Sequence, residues 1–391
     1  MPPTSPNEFV AMLDCQRHLF DIPDDVAYLN CAYISPLLNA VRDAGIAGTQ
    51  RKSHPWEIFP RDFFTDAEEA RGLFAELIGA TANDVALGSA ASYGTATAAR
   101  NLPVQPGQRI LVLQDQFPSN VYSWHALANE SDGSMLTLQR PQDDDWTRSV
   151  LEALDERVAI AALPHVHWTD GAMLDLVRIG ARCREVGAAL VIDGTQSVGV
   201  LPFDVNAIQP DFLAVATYKW LLGPYSAGLI YVAPKWQEGT PLEHNWINRE
   251  GSEDFSSLVD YRDSYQPGAR RYDVGERGNI HLVPMVKTGL RQLLDWGVGN
   301  IQYTIRARTD RIAERAADIG IAALPSDRRA GHYLGLRFPG GVPEGLADRL
   351  ARNNVYVSVR GRDAVRVTPH LWVTDEDEDR FFEVLTSALA H

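Results

Sequence analysis

Short apolar runs recur along the middle of the chain, separated by stretches with an apolar residue every three or four positions. RILVLQ (109–114), VAIAAL (158–163), AALVID (188–193), DFLAVAT (211–217) and GLIYVA (228–233) read as strands buried on both faces. LVRIGARCREVG (176–187) carries a helical period between two of them. Buried strands alternating with amphipathic helices predict an α/β fold, a mostly parallel sheet flanked by helices. After about residue 290 the pattern changes. LRQLLDWGV and IQYTIRARTDRIAERAADIG predict helices, HYLGLRFP and AVRVTP strands. TDEDED (374–379), before FFEVLTSAL, predicts a helix start rather than a metal site: Thr374 caps it, and the carboxylates face the positive end of the dipole. The expected division is an N-terminal segment (1–44) packing with a small α+β C-terminal domain (291–391), and a large domain between them (45–290).

Composition narrows the class. The 391 residues are 45% hydrophobic, enough for a sizeable core, and the net charge of −15 argues against nucleic acid or an anionic membrane as partner. MPPTSPNEFV lacks the basic start of a secretion signal, and no apolar run is long enough to span a membrane, so a cytoplasmic protein is expected. Cys15, Cys31 and Cys183 are odd in number and scattered, which fits neither a disulfide framework nor a cysteine zinc site.

Parallel sheets bind ligands at the carboxyl ends of their strands, and four strand ends here carry suggestive residues. In LAVATYKWLLGPYSAGLIYV (213–232), Lys219 follows a strand between Tyr218 and Trp220. A lysine wedged among apolar groups favours its neutral, nucleophilic form, unless it snorkels to water. Asp193 ends an apolar strand, where it needs a partner or caps the following turn; Gln196 lies three residues on. Phe117, in QDQFPSNVYSW, is either one wall of a slot for a planar ring or a core residue. GSAASYGTATAAR (88–100) leads small residues into a helix starting at Tyr93 or Gly94, an ordinary tight turn or a phosphate cradle. His165 and His167 alternate near Trp168 and are expected in the core or at a rim. Lysine, aspartate, aromatic and cradle together are the parts that pyridoxal 5′-phosphate requires.

At this point the chain resembles the class V aminotransferase-like group of fold-type I pyridoxal-phosphate enzymes, which includes cysteine desulfurases, kynureninases and isopenicillin N epimerase-like proteins. The resemblance runs from YLNCAYISP (28–36) to AVRVTPHLWVTDEDE (364–378) and is strongest in DGTQSVG and DFLAVATYKWLLGP. It implies that Lys219 is the Schiff-base lysine and that Asp193 keeps the pyridine nitrogen protonated. Gln196 resembles the residue bonded to the ring's phenolic oxygen, and Phe117 the kynureninase-type stacking aromatic. Ala91 and Ser92 match the phosphate turn, and Thr217 and Tyr218 are similar to phosphate-contacting residues before the lysine. Arg366 resembles the arginine that clamps a substrate α-carboxylate, with Arg360 or Arg362 as substitutes. Asn30 and Ala32 fall in the segment lining the substrate mouth. The implied activity is aminotransfer on an α-amino acid, with a β-eliminating C–S or C–C lyase or an epimerase as alternatives, in a homodimer with shared sites.

Two stretches depart from the family pattern. VYVSVRGRDAVRV (355–367) has no cysteine where desulfurases carry their catalytic thiol. YDVGERGN (272–279) puts Glu276 or Arg277 near the position of a threonine that reaches the partner subunit's phosphate, and Trp246 in HNWIN is a candidate substitute.

Overall fold

A computed structural model describes residues 10–389. A short strand β1 (Ala27–Tyr28) precedes helices α1 (Asn39–Lys52) and α2 (Thr65–Ile78). Four strand–helix units follow: β2 (Val85–Gly88) with α3 (Ala91–Asn101), β3 (Arg109–Leu113) with α4 (Tyr122–Glu130), β4 (Ser134–Leu138) with α5 (Trp146–Ala153), and β5 (Val158–Pro164) with α6 (Leu176–Val186). Then come β6 (Ala189–Asp193), the single turn α7 (Val205–Ile208), β7 (Phe212–Ala216) and β8 (Gly228–Val232). A long irregular stretch leads to α8 (Leu282–Trp296) and α9 (Val298–Asp318). The chain finishes with β9 (Leu334–Arg337), α10 (Leu346–Arg352), β10 (Val355–Tyr356), β11 (Ser358–Arg360), β12 (Ala364–Val367) and α11 (Asp375–Leu389).

The seven-stranded sheet has the order β2-β8-β7-β6-β5-β3-β4, and β8 alone runs against the others. Strand alternation explains why its apolar runs have no polar face. Ile110, Val112, Ile160, Ala162 and Val191 pack under Ala98 of α3 and Trp124 of α4. Leu111, Leu113, Ala161, Leu163, Leu190 and Ile192 pack on the other side with Val150 of α5 and Ile179 of α6.

The separate three-stranded sheet β11-β12-β9 is antiparallel. The N-terminal segment joins this part of the chain, since β1 pairs with β10 and Asn30 bridges Thr368. Residue 290 falls inside α8, which continues to Trp296. Thr374 caps α11 as expected, its hydroxyl accepting from the Asp377 N–H at 3.2 Å. The acidic run is spent on arginines: Glu378 takes Arg308 and Arg311, and Asp377 takes Arg17.

Candidate active site

Because all strands but β8 run one way, β2, β3, β5, β6 and β7 deliver their carboxyl ends to one edge of the sheet. A cavity of about 410 Å³ opens there, lined among others by Ala91, Ser92, Phe117, Asp193, Gln196, Tyr218 and Lys219. A larger hollow of about 970 Å³ lies at the opposite edge, near Gly180, Gln209, Asp211 and Trp236. Its lysine, Lys235, is paired with Asp211 at 2.6 Å, and burial pushes the Cys183 thiol up to about 12, so neither is poised as a nucleophile. The smaller cavity holds the reactive groups.

Lys219 is 6% exposed, and its side chain makes no hydrogen bond or ion pair within the described residues. Its ammonium nitrogen sits 5.4 Å from the centroids of both the Phe117 and Tyr218 rings. Burial pulls its pKa from 10.5 down to about 8; the Asp193 charge opposes that shift, and the Arg366 charge adds to it. One Asp193 oxygen accepts the Thr195 N–H at 3.0 Å, and no cation lies within ion-pair reach of the carboxylate among the described residues. A nearly buried carboxylate and a nearly buried amine, neither with a counter-ion among the described residues, share one cavity. Such groups are costly unless a ligand completes them.

The N-terminus of α3 faces the same space. The helix starts at Ala91, two residues before the expected Tyr93, because Ala90 is extended and serves as an N-cap without a side-chain bond. Its first backbone N–H groups therefore lack a capping oxygen, the arrangement that suits an anion. Gly94 lets α3 seat closely on β7: a Cβ there would stand 2.6 Å from the Ala214 Cβ.

Gln196 donates to the Ala32 carbonyl at 3.1 Å and accepts from the Trp220 ring N–H at 2.9 Å, leaving one amide N–H for the cavity. Asn30 accepts from the Ser358 hydroxyl at 2.8 Å. Ser358 stands opposite Arg366 on the hairpin. Arg366 is 1% exposed, so it is no surface arginine: it donates to the Trp168 carbonyl at 3.1 Å and lies 5.7 Å from the Tyr333 ring.

Ala32 and Arg366 are bonded to the lining residues Gln196 and Trp168, but neither they nor Asn30 line the cavity, and other expected residues stand elsewhere. Thr217 is fully buried, and its hydroxyl bonds the Pro224 carbonyl at 2.6 Å; Ala216 and Tyr218, on either side, line the cavity instead. Strand alternation turns Thr217 away. The same parity sends Pro164, Val166 and Trp168 to the cavity and His165 and His167 into the core. His167 bonds the Thr169 hydroxyl at 2.7 Å and stacks on Trp146, while burial holds His165 down at about 4. Trp246 packs against Phe63, Phe64 and Phe255, away from the cavity lining of its own chain. Arg277 is buried and bound to Asp273 and Gln266, so its guanidinium is not available to a partner subunit. The sequence assigns no site role to Trp168 or Cys31. Trp168 lines the cavity, and Cys31 is buried close enough to Lys219 and Arg366 for their charges to oppose the rise of its thiol pKa. A signal for Trp168 lay in the parity of PHVHW after an apolar strand.

Residues 57–374 match the family Aminotransferase class-V. An uncharacterized aminotransferase, YcbU, of Bacillus subtilis (strain 168) is 24% identical, over 83% of this chain and 84% of that protein. Isopenicillin N epimerase of Streptomyces clavuligerus is 24% identical, over 81% of this chain and 83% of that protein. Among solved structures, a mutant of C-DES with glycine covalently linked to its PLP cofactor superposes with a TM-score of 0.83 at 17% identity, covering 95% of this chain and 99% of that one.

Proposed function

The chain belongs to the aminotransferase class-V family and is a pyridoxal-5′-phosphate-dependent enzyme of amino acids, and from that premise we propose that it transaminates an α-amino acid with Lys219 as both cofactor anchor and base. The observation that carries this reading is the unpartnered, nearly buried amine of Lys219, held down to about 8 in one cavity with the unpaired carboxylate of Asp193. Pyridoxal 5′-phosphate supplies an aldehyde that bonds amino groups and a ring that withdraws electrons from the substrate Cα–H bond.

The residues divide the remaining work. Lys219, through the neutral fraction its lowered pKa provides, would anchor the cofactor's aldehyde group and, when free, would take the substrate Cα proton on its Nζ. Asp193 would hold a proton on the cofactor's pyridine nitrogen, and Phe117 would provide an aromatic wall for its ring. The uncapped start of α3, with Ala91 and Ser92, would hold the phosphate with Tyr218 near it, and Gln196 would offer its free N–H to the ring oxygen. Arg366, fixed by Trp168 and Ser358, clamps the substrate carboxylate, and Asn30 and Ala32 border it. Lys219 is the one amine of the lining residues and serves as the base in this reading. The turn Gly361–Asp363 holds no thiol for persulfide chemistry, though a β-eliminating lyase uses the same groups.

The protein is proposed to act as a homodimer, with Trp246 directed to a partner copy. Its three unpaired cysteines support a cytoplasmic placement, which cell fractionation checks. The test of the chemistry is Lys219→Ala beside Asp193→Ala. Wild type is expected to be yellow and to change colour with its amino acid. Lys219→Ala should lose the covalently held colour and turnover, whereas Asp193→Ala should keep the colour and lose most of the rate. Near-normal turnover of Lys219→Ala would end this reading.

A further inference from the structure

Three arginines stand on one face of the small sheet. Register pairs Arg337 of β9 with Ala364, Ala364 with Arg360 of β11, and Ser358 with Arg366, so alternation puts Arg337, Arg360 and Arg366 on the same side. Arg337 is neutralised, bonding Asp144 at 3.1 Å and Asp170 at 2.8 Å. Arg360 and Arg366 have no carboxylate within ion-pair distance among the described residues, although the chain carries 51 acidic residues against 36 basic ones. Their Nε atoms are buried without a hydrogen-bond partner.

The two are diagonal neighbours across the hairpin, a separation of about 7–8 Å between backbones. Both touch Trp168, which lines the cavity: Arg366 donates to its carbonyl, and the Arg360 guanidinium lies 5.3 Å from its ring centroid. The Trp168 ring in turn meets Phe117 edge-on at 5.5 Å, and Phe117 meets Lys219. Two adjacent, poorly solvated guanidinium groups repel each other, and burial and the Arg366 charge both lower the Arg360 pKa. A monoanionic amino acid neutralises only one of them.

We propose that Arg360 is a specificity-determining residue that binds an anionic group on the substrate's side chain, so that the enzyme selects acidic amino acids of the aspartate or glutamate type. This rests on the assignment of Arg366 to the α-carboxylate. The two positive charges then meet the two carboxylates of one short dicarboxylic amino acid. The Arg360 guanidinium lies 5.3 Å from the Trp168 ring centroid and bonds the Val359 carbonyl through one terminal nitrogen at 3.1 Å, which leaves the other for a carboxylate that a lysine would meet only as a point charge.

Calorimetric binding of glutarate and butyrate to the yellow holoenzyme tests the pairing without turnover. Wild type should bind glutarate at least about tenfold more tightly than butyrate, the scale of one charged hydrogen-bonded contact. Arg360→Gln should lose about that tenfold for glutarate and shift butyrate less than about threefold, while Arg360→Lys should keep part of the preference. Arg366→Lys should weaken both ligands. Equal wild-type affinities, or an Arg360→Gln loss equal for both ligands, would overturn the proposal. Failure of the transaminase reading looks different: glutarate preference would persist while no amino acid changed the colour or yielded a keto acid.

Discussion

At Arg366, the difference between a clamp and a point charge becomes measurable. It is buried against Trp168 and Tyr333, so truncation to alanine would leave a hole and lysine is the informative replacement. Arg366→Lys is expected to cost about 1.5–3 kcal/mol of amino-acid binding, roughly ten- to a hundredfold. Titrating the colour change with amino acid checks it, and an unchanged apparent affinity would remove Arg366 from the site. The residues at strand ends were the legible ones. Lys219 and Asp193 each break an apolar run just where the sheet ends, and a charged group there stands out against its neighbours. Thr217 was misplaced because the sequence does not give the side-chain parity of a strand end, and here a carbonyl takes its hydroxyl. Arg277 was left open because its partner Asp273 sits four residues away in an irregular segment with no period to read.

Among the elements, long buried strands were visible and short or half-exposed ones were not. β2 has four residues, and β4 lies at the sheet edge with Ser134 and Thr137 exposed, so neither makes a sustained apolar run. α3 starts two or three residues ahead of the expected Tyr93 or Gly94, and no Ser, Thr, Asp or Asn stands at its cap to mark the start. That missing cap leaves its N–H groups free, and the position of the helix depends on Gly94. Gly94→Ala places a methyl 2.6 Å from the Ala214 Cβ, so the helix must move or strain. The expected loss is about 1–3 kcal/mol in stability. Weaker retention of the cofactor phosphate should accompany it. Thermal unfolding and cofactor dialysis measure the two effects, and an unaltered melting temperature with full retention would show that α3 has slack.

At the scale of the whole molecule, the sheet was legible from its alternation of apolar runs and helices, but the gathering of Asn30, Arg360 and Arg366 was not. It depends on β1 pairing with β10 and on a bridge from Asn30 to Thr368, contacts between chain ends that no local pattern encodes. Beyond one copy, Phe63 meets Phe255 at 5.7 Å, and Trp56, Trp246, Val259 and Tyr261 remain exposed on the two stretches they join. A second copy of the chain is the proposed cover. Sedimentation at micromolar concentration should give twice the 43.2 kDa chain mass, and a fully active monomer would contradict it.

The central claim is that burial lowers the Lys219 pKa far enough to give the amine a reactive neutral fraction near physiological pH. With its pKa lowered to about 8, the reactive fraction of the apoprotein grows as pH rises toward 8 and saturates above it. The rate at which apoprotein covalently captures pyridoxal 5′-phosphate, followed by its colour, should therefore rise about tenfold per pH unit below about 8 and then level off. A rate still climbing in the same proportion toward pH 10 would mean an ordinary, solvated lysine and would contradict the claim.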